Sequence, residues 1–165
     1  MLSRKASRLR SHALYLPALV LAALAAATVP VSALFEPARA AIVPPMTIVV
    51  GGVAIVLFMR MLFDPQCRRG IDAANTELRG GQPLSPFHFR RIGFFDPQWG
   101  VFGSRVGERP LQLVRTVLFF EFIVALVLTG RGRSDLLLLA AAAFAVAMML
   151  SIIHLGLNTP GAAVA

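Results

Sequence analysis

The chain has 165 residues, 57% of them hydrophobic, with a mean hydropathy of +0.74 and a formal net charge of +8. That apolar excess excludes an ordinary soluble domain, where apolar usage is nearer half, and the length suits a single domain. The basic balance alone would suit a nucleic-acid partner. Here, though, the charges flank apolar runs instead of forming one face, so no nucleic acid is expected.

Four apolar runs carry the excess, about Leu14–Phe35, Met46–Phe63, Thr116–Thr129 and Leu136–Leu155. With their flanks they approach the roughly 20 residues that cross a ~30 Å hydrocarbon core, and none shows a polar stripe. The expected fold is all-α: a polytopic integral membrane protein with about four transmembrane helices, or three if an N-terminal leader is removed.

Residues 1–35 admit more than one reading. Arg4, Lys5, Arg8 and Arg10 precede an apolar stretch from Leu14 to Ala27, then Pro30 and the small residues of Val31–Ala33. This is the layout of a cleaved secretory signal, with a second cleavage sequence at Ala38–Ala40. It is equally the layout of a retained first helix, in which Ala18, Ala22 and Ala26 recur at four-residue spacing and permit close helix packing. An organelle presequence is a third reading.

Residues 36–45 are expected as a short loop and 42–63 as a transmembrane helix, with Gly51-Gly52 favouring tight contact. The tetrapeptide Phe-Asp-Pro-Gln then occurs at Phe63–Gln66 and again at Phe95–Gln98. At the first copy, Asp64 suits a helix N-cap and Pro65 a first helical position. An interfacial amphipathic helix is expected over 65–79, with Cys67, Ile71, Ala74 and Leu78 on one face, an Arg68–Asp72 pair on another and Gly70 as a weak point. At the second copy Gly100 follows too soon for a helix, so a turn is expected.

Within the 64–113 segment, Phe87, Phe89, Phe94, Phe95, Trp99 and Phe102 are interleaved with Arg90, Arg91 and Arg105. Rings beside guanidinium groups suit the headgroup layer of a bilayer, including anionic headgroups, and suit equally a partner protein or the chain's own helices. Thirteen of the sixteen Lys and Arg residues fall on the side of the N-terminus and of 64–113, against Arg39, Arg131 and Arg133 opposite. Positive loops resist translocation, so the N-terminus and 64–113 are expected inside.

Transmembrane helices are expected over 114–130 and 135–157, with 158–165 as a tail. Glu121 lies six residues beyond Arg115, about 9 Å deeper along a helix. A carboxylate at that depth is costly and usually has a partner. A polar cluster of Glu121, Arg60 and His154 is expected, with Arg115 at its rim. A structural ion pair is the favoured reading of it, and a proton or ion path the alternative. Neither a metal nor another cofactor is expected, since His12, His88 and His154 lie far apart and Cys67 is the only cysteine. No P-loop, dinucleotide-binding, HExxH or CxxC motif is present, so an enzyme is not expected.

The functional expectation is an accessory or assembly subunit of a larger membrane complex, with a membrane-protein partner or a homo-oligomer. A small transporter or ion-conducting subunit using Glu121 is the alternative. A bacterial inner (plasma) membrane is the expected location, with an organelle inner membrane second.

Overall fold

The computed structural model describes residues 2–78 and 109–158. They form five helices: α1 (Leu2–Leu34), α2 (Glu36–Phe63), α3 (Pro65–Leu78), α4 (Arg109–Thr129) and α5 (Ser134–Asn158). Four of them contain apolar spans long enough to cross a membrane: Leu14–Leu34, Arg39–Phe63, Arg109–Thr129 and Ser134–Leu155. At 1.5 Å per residue the 21- to 25-residue spans reach about 31–38 Å, enough for a ~30 Å core. The chain is a helical membrane protein.

Helix α5 is the centre of the bundle, packing against α1, α2, α3 and α4. Half of its most apolar stretch is buried, against 17–28% for the other three spans. Its buried side is built from small residues and leucines: Leu136, Leu139, Ala140, Ala143, Val146, Ala147 and Leu150. Small residues let helices approach closely where no water drives them together. Ala18, Ala22 and Ala26 of α1 are buried at their four-residue spacing. By contrast, a Cβ placed on Gly51 or Gly52 would meet no atom of the described residues within 4 Å, so this glycine pair makes no tight contact among them.

Both ends of α2 are one-residue joints. Phe35 donates its N–H to Val31 O at 3.0 Å, ending α1, and accepts from Arg39 N at 3.1 Å, starting α2. Asp64 repeats the device, donating to Arg60 O at 2.9 Å and accepting from Arg68 N at 3.0 Å. Both residues adopt extended backbone, as Asp64 must before a proline. The expected loop over 36–45 is therefore helical. Pro37 lies in the first turn, where no N–H is required, and Pro44 and Pro45 continue the helix at the cost of two backbone donors.

The Asp64 side chain completes the second joint, its Oδ1 accepting from Gln66 N at 2.9 Å and Cys67 N at 3.3 Å. Helix α3 then turns Cys67, Gly70 and part of Ile71 toward the bundle, leaving Arg68, Arg69 and Asp72 exposed. Arg68 and Asp72 are both exposed, and the expected ion pair between them is not formed. Between α4 and α5 the chain reverses in four residues, with Gly132 at φ +76° and its N–H on Thr129 O at 3.0 Å. A left-handed backbone angle favours glycine there.

Hydroxyl groups inside the apolar helices bond their own backbone. Thr28, Thr47, Thr116, Thr129 and Ser151 each donate to the carbonyl four residues earlier, at 2.7–3.0 Å. In a medium without water this satisfies the donor at no cost to packing.

Candidate functional site

The two ends of the bundle carry different polar groups. At the end with the tight turns, Arg39 Nε donates to Asp135 Oδ2 at 2.7 Å and Arg39 Nη1 lies 3.2 Å from Glu36 Oε1. Arg133 donates to the Ala33 carbonyl near the end of α1. These contacts tie α1, α2 and α5 together, and they use two of the three basic residues on that side. Arg39 and Asp135 are 96 residues apart, so sequence spacing alone gives no sign of the pair.

At the opposite end the expected cluster divides. Arg115 is fully buried, and its Nη1 donates to Ser151 Oγ at 2.8 Å. Ser151 passes a hydrogen bond on to Ala147 O at 2.8 Å. Arg115 is thus inside the bundle and not at a rim, because α4 begins at Arg109, about 9 Å earlier along the axis than Arg115. His154, three residues after Ser151 on the same face of α5, pairs with the Tyr15 ring at a centroid distance of 6.0 Å. Arg115, Ser151, His154 and Tyr15 so form one polar layer joining α1, α4 and α5.

Arg60 and Glu121 do not join it. Arg60 Nε lies 3.8 Å from Asp64 Oδ2, one turn along its own helix junction. The register also keeps Arg60 and Glu121 apart from each other. Helices α2 and α5 run the same way and are pinned at Arg39–Asp135, so Arg60 lies level with Gly156. The Arg115–Ser151 bond pins α4 against α5 and puts Glu121 level with Ala145. Eleven residues of helix, about 16 Å, separate the two levels, beyond the reach of an Arg–Glu pair.

Glu121 instead lies mid-span, twelve residues from Arg109 and eight from Thr129. Its neighbours in sequence are aromatic: Phe119 and Phe122 contact Phe144 with centroids 5.9 Å and 6.3 Å apart, and Phe120 meets Phe119 edge-on. The residue is half-buried, but its Oε2 is fully buried and accepts no hydrogen bond.

Sequence reasoning missed Ser151, Tyr15 and Asp135. Ser151 carried a usable signal, being the sole hydroxyl in the run from Leu136 to Leu155 and one turn from His154. The basic-aromatic group of Phe87, Phe89, Arg90, Arg91, Phe94, Phe95, Trp99, Phe102 and Arg105 lies outside the described residues, as does the second Phe-Asp-Pro-Gln. Among the described residues no group of three or more His, Cys, Asp or Glu side chains is placed to hold a metal ion. No protein-family model matches the chain, and no curated protein or solved structure shows significant similarity to it.

Proposed function

We propose that the chain is an accessory or assembly subunit of a larger membrane complex, contributing surface and not chemistry. The observation that carries this reading is the state of α2. Only 17% of its most apolar stretch is buried within the chain, although it lies between two other spanning helices in sequence. Its outward positions Ile48, Gly52, Ile55, Met59 and Leu62 follow a four-three spacing along one face, the spacing that packs a second helix at a shallow angle. Open space at Gly51-Gly52 leaves that face without an occupant among the described residues. The composition of the basic-aromatic segment suits a partner or anionic headgroups. The proposed orientation puts the N-terminus and that segment inside, with α3 at the interface. The proposed location is a bacterial inner membrane, with an organelle inner membrane as the alternative.

The experiment is native separation of membranes from cells with and without the chain, followed by mass spectrometry of every size fraction. The reading requires at least one complex to shift or disappear in the deleted strain. Unchanged profiles for all complexes would contradict it. The transport alternative is favoured by one observation, the buried Oε2 of Glu121 at mid-span. It requires solute or proton movement by the purified chain in liposomes.

A further inference from the structure

We propose that Glu121 is a proton-binding site in the middle of the membrane, held as the neutral carboxylic acid and open to modification by apolar carbodiimides. The inference needs neither transport nor a partner complex, since a proton held in place satisfies it.

Three observations carry it. First, Glu121 lies near the midpoint of α4, where an ionised carboxylate is costly unless paired. Second, its Oε2 is fully buried and accepts no hydrogen bond, so the charged form has no donor to compensate it there. Third, none of the packed helices offers a counter-charge at its level. Residues Leu136–Ile153 of α5 and Leu16–Leu34 of α1 contain no ionisable side chain, and neither does the stretch Ala40–Met59 of α2. The nearest cation on α4 is Arg115, about 9 Å away along the axis and bonded to Ser151. A protonated carboxyl is the form that a site of this kind retains.

Such a group has a characteristic reaction. The acid adds across one C=N bond of dicyclohexylcarbodiimide: its proton passes to nitrogen and its oxygen bonds the central carbon. The O-acylisourea so formed rearranges by acyl shift to a stable N-acylurea, with no leaving group and no redox change. An exposed carboxylate, such as Glu36 with its side chain 75% exposed, lies in water and should resist the apolar reagent.

The test uses the full chain in lipid nanodiscs, treated with dicyclohexylcarbodiimide and mapped by peptide mass spectrometry. One adduct on Glu121 is expected, forming faster as pH falls and lost in Glu121→Gln. Infrared spectroscopy of the unmodified chain gives a readout that needs no reagent: a protonated-carboxyl stretch, present in the wild type and absent in Glu121→Gln. Labelling confined to exposed acids, or an infrared spectrum unchanged by Glu121→Gln, would overturn the proposal.

Discussion

Arg115 and Ser151 meet inside the bundle at 2.8 Å, a fully buried guanidinium on a fully buried hydroxyl that bonds onward to Ala147. The contact fixes how α4 lies against α5, and it forms where each partner has no water to turn to. Interhelical hydrogen bonds of this kind contribute about 0.6–1.7 kcal/mol in membranes. Ser151→Ala should therefore lower stability in detergent by about 1 kcal/mol. Arg115→Leu combined with Ser151→Ala should cost less than the sum of the single changes, because it leaves no buried donor stranded. Thermal unfolding of the four proteins checks both, and strict additivity would contradict the pairing.

Arg39 and Asp135 hold the other end at 2.7 Å, with side chains 19% and 36% exposed. A pair this open to water contributes little on its own. Arg39→Gln and Asp135→Asn should each destabilise modestly, and the double mutant should lose little more than either single one. Glu36, 3.2 Å from Arg39, should retain part of the interaction in Asp135→Asn. A double-mutant cycle on detergent stability measures the coupling. Zero coupling would remove the pair as a determinant of register.

These two contacts also mark what could be read from the sequence. The four apolar runs appear as four long helices because crossing a hydrocarbon layer needs length and apolarity, both of which are local properties. Helix ends were harder. Glu36, Pro37 and Arg39 look like a loop, yet Phe35 turns the chain alone and Arg39 is held by a residue 96 positions away. The expected Arg60–Glu121 pair fails for a related reason. The apolar run makes Arg115 look like a boundary residue, whereas α4 begins at Arg109 and Arg115 is buried inside the bundle. Side-chain pairing depends on register between helices, and register is set by contacts with no sequence periodicity.

Gly132 should tolerate substitution poorly. Its φ of +76° is a left-handed angle that costs an L-residue about 1–2 kcal/mol. Gly132→Ala should lower stability by about 1 kcal/mol and Gly132→Asn by less, since asparagine tolerates that region. The open space around a Cβ there means the effect is backbone strain and not a clash. Equal losses for both variants would point to another cause.

Cys67 should be a slow nucleophile. Its thiol is buried against the bundle, and burial pushes its pKa up, with the Asp64 carboxylate adding to the rise and Arg60 opposing it. The thiolate is therefore scarcer than for a free cysteine at neutral pH. The sign of the linkage follows: folding keeps the thiol protonated, so stability is undiminished below the ordinary thiol range. It falls as pH rises through that range toward the raised folded value. Maleimide labelling in mild detergent should be slow and should become fast on unfolding. Labelling of the folded chain at the rate of a free thiol would show that α3 does not hold Cys67 against the bundle.

The most direct test of the central claim is purification of the tagged chain from its native membrane in mild detergent, with mass spectrometry of the co-purifying proteins. The accessory-subunit account predicts one or more membrane proteins in fixed stoichiometry with the chain, retained through a second purification step. A homogeneous monomer or homo-oligomer with no stoichiometric partner would contradict it.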